Sequence, residues 1–267
     1  KEPNEIESNL GLHVFATVPR SLQQLSQYQQ VNDKKPGNHV LAYVAPNDPA
    51  IESLRSLRTA LQFAMLEAAN NIVLITGPTP KIGKSFTSVN FAAVLGSANK
   101  KVLLIDADLR KGYINQYFGK ARKNGTSEFI SGTIGLEQAI HKNVLPGLDF
   151  MTTGVLPPNP SELLLSAQAI EKLQQLSKHY DLVLIDSAPV LAVSDAMALA
   201  PHVGTTFLLA RANETTLGEL DESAKRLRQA GGQVKGVIFN DMVAKNRRYG
   251  SKYGYYRYAN YEYGSEA

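Results

Sequence analysis

The chain has 267 residues, 43% of them hydrophobic, and a formal net charge of +4. This length and apolar content suffice for one α/β domain with a sizeable core. The sequence contains no cysteine, which excludes disulfides and thiolate metal sites and fits a reducing compartment. Its longest apolar runs, such as residues 72–75 and 182–185, are far shorter than the roughly 18 residues of a membrane-spanning helix, so no transmembrane segment is predicted.

Residues 1–48 are polar and contain Gln-rich and Lys-Lys-Pro-Gly stretches, with one strand-like run at residues 13–18. We interpret them as an arm that precedes the main domain. The chain begins at Lys1 rather than Met, so we expect it to be part of a longer protein. The main domain is predicted to span residues 49–244.

A long amphipathic helix is predicted to follow the arm. Asp48 and Pro49 form a favourable pair of N-cap and first-turn residues. Apolar side chains then recur at helical spacing: Ile51, Leu54, Leu57, Leu61, Met65 and Ala68. Glu52, Arg55 and Arg58 form a stripe beside this apolar face. Taken alone, such a stripe is typical of a solvated charged face with local ion pairs.

Five apolar, β-branched runs come next, separated by helical stretches: residues 72–76, 102–105, 182–185, 205–210 and 234–239. Because these strands lack polar alternation, they are expected to be buried on both faces. The pattern predicts an α/β fold with a mainly parallel sheet and helices on both faces. In such folds ligands bind beyond the carboxyl ends of the strands. Functional residues are therefore expected directly after each strand.

The first strand leads into a phosphate-binding loop of the P-loop type, followed by a helix from about Phe86. Backbone N–H groups and the helix N-terminus would bind the phosphates, Lys84 would reach the β- and γ-phosphates, and the Ser85 hydroxyl would ligate Mg²⁺. The usual spacing places the first glycine at position 78, where this chain has Pro. The strand before and the helix after argue against the alternative, a fortuitous surface turn. The predicted ATP-binding residues are Gly77, Thr79, Pro80, Lys81, Ile82, Gly83, Lys84, Ser85 and Phe86.

Acidic residues follow two further strands. Asp106 and Asp108 come after the strand at 102–105, and Asp186 comes after the strand at 182–185. Carboxylates near bound phosphates would repel ATP unless they hold a divalent cation or accept a proton, so Mg²⁺ is implied. Asp186 has the position of a Walker B carboxylate. In isolation, each of these acids could instead cap a turn.

The C-terminal segment, residues 245–267, is predicted to be a flexible tail because it has too few aliphatic residues to form a core. It holds seven of the 12 tyrosines: Tyr249, Tyr253, Tyr255, Tyr256, Tyr258, Tyr261 and Tyr263. Beside an ATP site, we expect these tyrosines to be phosphorylation substrates. The alternatives are a single-stranded nucleic-acid-binding segment or a solvated end. Each phosphate would add roughly two negative charges and so reverse the positive character of the tail.

The displaced phosphate loop, the Asp-x-Asp-x-Arg segment at 106–110, the Asp-x-x-Pro segment at 186–189 and the tyrosine cluster together resemble the bacterial tyrosine kinases of capsule and exopolysaccharide export. The resemblance covers roughly residues 40–267, and the arm looks like the membrane-proximal segment of that family. It implies ATP and Mg²⁺ as cofactors. It also implies an active site made of Lys84, Ser85, Asp106, Asp108 and Asp186, with Ser85, Asp106 and Asp186 at the metal and Asp106 as the base, Asp108 being the reserve.

The same resemblance implies three further roles. The Glu-x-x-Arg-x-x-Arg pattern at 52–58 would join subunits into a ring-shaped homo-oligomer in which the tail is phosphorylated in trans. Tyr113 matches a regulatory phosphotyrosine of proteobacterial members, and would gate the site until its phosphate is drawn towards Arg110 or another cation. Asn240 matches a position that contacts adenine in related folds, although a turn Asn is an equal alternative.

The implied setting is the cytoplasmic side of the bacterial inner membrane, fused to or activated by a polysaccharide co-polymerase. The expected partners are other copies of the chain, a tyrosine phosphatase and the export machinery, and no nucleic acid is expected. A different class, the Min/Par-type switch ATPases that bind membrane or DNA, is the alternative. These carry a lysine five residues before the phosphate-loop lysine, where this chain has Thr79, and Lys81 lies too late to replace it.

Overall fold

The computed structural model describes residues 2–243, which form one eight-stranded sheet covered by helices. The strands are β1 (Val14–Pro19), β2 (Ile72–Thr76), β3 (Val102–Ala107), β4 (Ile140–Leu145), β5 (Leu148–Met151), β6 (Leu182–Ser187), β7 (Thr205–Arg211) and β8 (Val234–Met242). Their order is β1-β8-β7-β2-β6-β3-β5-β4, and only the β4–β5 pair is antiparallel. The predicted mainly parallel α/β fold is confirmed.

Helices cover both faces of this sheet. They are α1 (Pro3–Leu10), α2 (Leu22–Asn32), α3 (Leu41–Val44), α4 (Pro49–Ala64), α5 (Lys84–Gly96), α6 (Thr126–Ser131), α7 (Leu136–Ala139), α8 (Pro160–Leu165), α9 (Ala167–Ser177), α10 (Asp195–Leu199) and α11 (Leu217–Gln229), with 3-10 helices at Ile114–Phe118 and Ala200–His202. Successive strand residues point to opposite faces. Leu74 and Leu103 accordingly pack with α9 and α11, whereas Val73 and Leu104 pack with α4 and α5. Within residues 2–243, none of the helices combines the length and apolar character needed to span a bilayer.

The structure corrects the interpretation of residues 1–48 as an arm outside the domain. Strand β1 joins the sheet beside β8, with Val14 opposite Val237 and Thr17 opposite Phe239. Its residues alternate between buried and half-buried, which is the period-two pattern of an edge strand. The strand-like run noted at residues 13–18 is thus a strand, but it belongs to the sheet of the main domain. Residues 14–19 are therefore part of the same sheet and core as the segment that follows.

Helix α4 begins as predicted. The Asp48 carboxylate accepts a hydrogen bond from the Ala50 N–H at 2.9 Å, and Pro49 occupies the first turn. The Ser21 hydroxyl donates to the same carboxylate at 2.5 Å, so the segment after β1 is tied to this cap. The predicted apolar face is buried as far as Leu61, but the helix ends at Ala64, before Met65 and Ala68.

Candidate active site

The phosphate loop connects β2 to α5 at the carboxyl edge of the sheet. Helix α5 begins at Lys84, slightly before the predicted start at Phe86, and Gly83 precedes it with a φ of +96°. Lys81 is also left-handed, with a φ of +64°. The loop exposes Pro80 and Lys81, half-buries Thr79, Gly83 and Ser85, and buries Gly77, Ile82, Lys84 and Phe86.

The glycine at position 77 is required by a close approach of two chain segments. A methyl group on Gly77 would lie 2.4 Å from the Ile82 side chain and 2.9 Å from the carbonyl oxygen of Leu209. Only a residue without a Cβ avoids both contacts. The loop therefore keeps its first glycine at 77, while Pro78 stands at the position that the common spacing assigns to glycine.

Lys84 is folded back over the loop. Its Nζ donates to the carbonyl oxygen of Thr79 at 3.1 Å. Burial lowers the pKa of Lys84, and the carboxylates of Asp186 and Asp108 oppose that shift. A desolvated cation at this place fits the predicted contact with phosphate oxygens, which stays a prediction.

Asp186 receives two hydroxyl groups from α5. Ser85 Oγ donates to its Oδ2 at 3.0 Å and Ser88 Oγ donates to its Oδ1 at 2.8 Å. Burial raises the pKa of Asp186 to about 6, although the charge of Lys84 and the two serine hydrogen bonds oppose this shift. Ser85 and Asp186, both predicted metal ligands, are thus in direct contact. Ser88 was not predicted, although its spacing of three residues from Ser85 places both hydroxyls on one helix face.

Asp106 lies beside Asp186, since the two are paired in register between β3 and β6. Its carboxylate accepts hydrogen bonds from the N–H groups of Ile114 at 3.1 Å and Asp108 at 3.2 Å. Complete burial raises its pKa well above the ordinary value, and the charges of Asp186 and Asp108 add to that shift. The neighbouring Gly112, which sequence reasoning missed, leaves the space that this carboxylate occupies.

This pair of carboxylates fits a bound cation. Burial is the main cause of the raised pKa values of both acids, and for Asp106 the charge of Asp186 adds to the shift, so a nearby cation would favour the ionised forms. Mg²⁺ is typically held by one or two carboxylates together with phosphate oxygens and water, and a serine hydroxyl after the phosphate-loop lysine completes such a set. Ser85, Asp186 and Asp106 are groups of these kinds, and their role as ligands stays a prediction.

Asp108 performs the turn-capping role that the sequence left open. Its Oδ1 accepts hydrogen bonds from the N–H groups of Arg110 at 3.2 Å and Lys111 at 2.9 Å. The Arg110 guanidinium in turn donates two hydrogen bonds to the buried carboxylate of Asp195, from Nε at 3.0 Å and from Nη2 at 3.1 Å. This bidentate pair connects the loop after β3 to α10. Two of the three guanidinium nitrogens of Arg110 are therefore engaged by Asp195.

Tyr113 lies half-buried at the rim of the site. Its ring stacks on Tyr117 with centroids 6.1 Å apart. Burial raises the pKa of Tyr113 to about 12, while hydrogen bonds to Ser85 and Tyr117 oppose the shift. The hydroxyl of this residue thus reaches the serine that is predicted to ligate Mg²⁺.

Asn240 supports the phosphate loop from β8. Its Nδ2 donates to the carbonyl oxygen of Ile82 at 3.1 Å, and the side chain is buried. A methyl group on Gly83 would lie 2.2 Å from this Nδ2, so the loop packs directly on the amide. Asn240 is thus a strand residue in contact with the loop, and not a turn residue.

The charged stripe on α4 makes local contacts within the chain. Arg55 pairs with Glu52 at 2.8 Å and donates to the carbonyl oxygen of Pro46 at 2.6 Å. Arg58 donates to the carbonyl oxygen of Val94 at 3.3 Å. The ring-forming role of this stripe stays a prediction. The seven tail tyrosines, Tyr249 to Tyr263, lie outside the described residues.

Comparison with known proteins places this site in a family. A family model described as an AAA domain matches residues 72–203. A Ralstonia nicotianae protein named as a candidate tyrosine-protein kinase, EpsB, is 51% identical over 99% of this chain and 36% of its own length. The tyrosine-protein kinase ptk of Acinetobacter johnsonii is 43% identical over 93% of this chain and 34% of its own length. The chain thus spans about a third of the length of these curated relatives.

One solved structure shows which family the chain belongs to. The kinase domain of the Escherichia coli tyrosine kinase ETK is 42% identical, with a TM-score of 0.85, over 96% of this chain and 100% of that domain. The chain belongs to the bacterial tyrosine kinase family. Its phosphate loop and the fold around it are those of a nucleotide-binding member.

Outside that family the likeness is one of fold only. The septum site-determining protein MinD of Pyrococcus horikoshii matches 64% of the chain with a TM-score of 0.54 and 22% identity. This chain and that protein, which was solved in complex with Mg-ADP, therefore share a fold. The Min/Par-type alternative is less supported than the kinase assignment, because the kinase matches are far more similar and cover more of the chain.

Proposed function

We propose that this chain transfers the γ-phosphoryl group of ATP, with Mg²⁺, to protein tyrosines, above all those of its own C-terminal cluster. One observation carries this proposal. The phosphate-loop residues Lys84 and Ser85 converge with two buried, adjacent carboxylates, Asp106 and Asp186, at one edge of the sheet. A phosphate cradle next to paired acids suits phosphoryl transfer, which depends on positioning and on charge neutralisation.

Each residue would have a distinct task. Ser85 and Asp186, with Asp106 beside them, would hold Mg²⁺, which neutralises phosphate charge when bound. Lys84 would contact the γ-phosphoryl group. The tyrosine oxygen attacks the γ-phosphorus, the bond from that phosphorus to the leaving oxygen of ADP breaks, and the phenolic proton passes to Asp106. A free tyrosine has a pKa near 10, so it needs such a base, and Asp108 is the reserve.

Tyr113 would regulate this reaction. In its unmodified form its hydroxyl interacts with Ser85 and so competes with the metal for that ligand. A phosphate on Tyr113 would be repelled by Asp186 and would leave the site. Because Arg110 is paired with Asp195, another cation would receive it. Arg122, which donates to the carbonyl oxygen of Gly112 at 3.3 Å, is one such cation.

The wider setting follows from the family. The chain would act at the cytoplasmic face of the bacterial inner membrane, as part of or activated by a polysaccharide co-polymerase. Copies would assemble into a ring through Glu52, Arg55 and Arg58, and phosphorylate one another in trans. Added charge on the tails would then repel the subunits, and a tyrosine phosphatase would reset them, which would regulate polymerisation or export of capsular or extracellular polysaccharide.

Intact mass spectrometry after incubation with Mg-ATP tests this function. The unmodified chain, a Lys84→Met variant and a variant lacking residues 249–267 are compared. Stepwise gain of phosphoryl groups that requires Lys84 and is lost with the tail is the expected result. ATP turnover without any gain in mass would instead indicate a switch ATPase and would overturn the kinase proposal.

A further inference from the structure

Four charged side chains meet where β1, β8 and β7 end: Arg20, Asp241, Arg211 and Glu214, whose carboxylate accepts from Arg211 Nη1 at 3.1 Å. The Asp241 carboxylate on β8 receives Nε and Nη2 of Arg20 at 2.6 and 2.8 Å, and Nε of Arg211 at 2.9 Å. Because β8 lies between β1 and β7 in the sheet, one carboxylate bridges both neighbouring strands. Only 14% of the Asp241 side chain is exposed, whereas 45% of Arg20 and 30% of Arg211 are, so the carboxylate is shielded and the two guanidinium groups are partly solvated.

Arg211, a member of this cluster, also contacts the phosphate loop. Arg211 Nη1 donates to the carbonyl oxygen of Lys81 at 3.1 Å. Asn240 Nδ2 donates to the next carbonyl oxygen, that of Ile82, also at 3.1 Å. Two successive loop carbonyls are therefore held by side chains from the ends of β7 and β8.

Holding these carbonyls fixes the direction of two N–H groups. No peptide bond in the described residues is cis, and in a trans peptide group the C=O and N–H point in opposite directions. With the Lys81 carbonyl turned towards Arg211, the N–H of Ile82 points away from Arg211. With the Ile82 carbonyl turned towards Asn240, the N–H of Gly83 points away likewise. Backbone N–H groups of such a loop are the donors that bind phosphate oxygens.

The backbone conformations show that this arrangement is imposed by its surroundings. Lys81 and Asp241 have φ values of +64° and +61°, in the left-handed region that residues with a Cβ rarely adopt. Such conformations persist where the contacts around them determine the chain path. Here the contacts are the hydrogen bonds of Arg211 and Arg20.

We propose that Arg211 and Asp241 are positioning residues that orient the phosphate loop for nucleotide binding, and that Arg20 makes nucleotide affinity depend on the docking of the N-terminal segment. Arg20 directly follows β1, and its own N–H donates to the carbonyl oxygen of Met242 at 2.9 Å. Separation of β1 from β8 would remove Arg20 from Asp241 and loosen Arg211. The inference rests on the nucleotide binding of the proposed function and not on the identity of the phosphate acceptor.

Calorimetric titration with Mg-ADP tests the positioning role. Arg211→Gln is expected to raise the Kd about tenfold, in keeping with loss of a charge-assisted hydrogen bond. Arg211→Lys is expected to recover part of the affinity, because an ammonium can donate to the Lys81 carbonyl without the planar fork of arginine. Arg226→Gln is the matched control, since Arg226 pairs with Glu222 at 2.7 Å on the surface of α11. An Arg211→Gln Kd equal to that of the control overturns the positioning role.

A double-mutant cycle tests the connection to the N-terminal segment. Arg20→Gln alone is expected to raise the Kd for Mg-ADP about threefold. In a chain that already carries Arg211→Gln it is expected to have no further effect, because Arg20 acts on the loop through Asp241 and Arg211. Asp241→Asn is expected to match the Arg211→Gln phenotype. Independent, additive effects of Arg20 and Arg211 overturn the connection. Failure of the unmodified chain to bind Mg-ADP would overturn the proposed nucleotide binding itself. Normal binding by the unmodified chain and by every variant would instead overturn only the positioning inference.

Discussion

Gly112 shows how one missing side chain shapes the site. A methyl group there would lie 2.6 and 2.7 Å from the carboxylate oxygens of Asp106 and 1.9 Å from the hydroxyl oxygen of Thr153. We expect Gly112→Ala to destabilise the fold by about 1–3 kcal/mol through overpacking and to slow tyrosine phosphorylation roughly tenfold or more. Mass gain over time and Tm measure the two effects. Gly218→Ala, with no atom within 4 Å of the added methyl, is the control, and similar behaviour of both variants would contradict the argument.

The effect of Asp186 on the free energy of unfolding depends on pH. Burial raises its pKa to about 6 in the folded chain, against about 3.9 in an unfolded one. Between these values the folded chain binds more protons than the unfolded chain, so the free energy of unfolding falls as the pH rises. Asp186→Asn is expected to stabilise the metal-free chain by up to about 3 kcal/mol above pH 7 and by much less near pH 4, while abolishing phosphorylation.

Urea unfolding across this pH range, without nucleotide or Mg²⁺, measures the stability change. Ser88→Ala serves as a comparison because it removes one of the two hydroxyls that stabilise the ionised Asp186. That variant is expected to lower stability most at high pH. Equal stabilisation by Asp186→Asn at both ends of the range would rule out an electrostatic cause.

Helix α4 presents two faces with separate tasks. Its apolar face packs into the core, whereas Glu52, Arg55 and Arg58 form a stripe beside that face. The ion pair of Arg55 contributes at most about 1 kcal/mol and the hydrogen bond of Arg58 to the Val94 carbonyl about as much, so changing both to Ala is expected to leave the chain folded. The same double substitution should reduce the mass of the oligomer in light scattering. Arg226→Ala on α11 should not, and an unchanged mass in the α4 variant would exclude the ring contact.

The elements differ in how far the sequence reveals them. Strands β2, β3, β6, β7 and β8 are continuous apolar runs because both of their faces are buried, and all five were predicted. Strands β4 and β5 were not predicted. β4 exposes Lys142 and Asn143, and its place at the sheet edge depends on pairing with β5. The burial of such strands is a property of the tertiary structure and not of local sequence.

Prediction of the site from the sequence is limited in the same way, because the contacts that support the site depend on the whole fold. Lys84, Ser85 and Asp186 could be predicted because each belongs to a motif in which a strand and its following residues are contiguous. The partners that hold them in place are distant in sequence. Arg110 and Asp195 are 85 positions apart, and Arg211 and Asp241 are 30 apart. Their contacts depend on the order of strands across the sheet, which one sequence does not specify.

Assembly of several copies would decide which tyrosines each site can reach. In a ring, the C-terminal tyrosines of one copy could enter the nucleotide site of its neighbour. Mixing two variants tests this: a Lys84→Met chain that keeps its tyrosines, and an active chain that ends at Val243. With Mg-ATP, phosphate should appear on the Lys84→Met chain, at a rate that rises with the concentration of the active chain.

Two controls make that mixing experiment specific. The Lys84→Met chain alone should gain no mass, because it lacks the cation that contacts the γ-phosphoryl group. Introducing Arg55→Ala and Arg58→Ala into both chains should slow the transfer, since the encounter would then lack its docking surface. If the Lys84→Met chain stays unmodified while the unaltered protein phosphorylates itself, transfer occurs within one chain. The tail would then be phosphorylated by the active site of its own chain, and its phosphorylation would not require a neighbouring subunit.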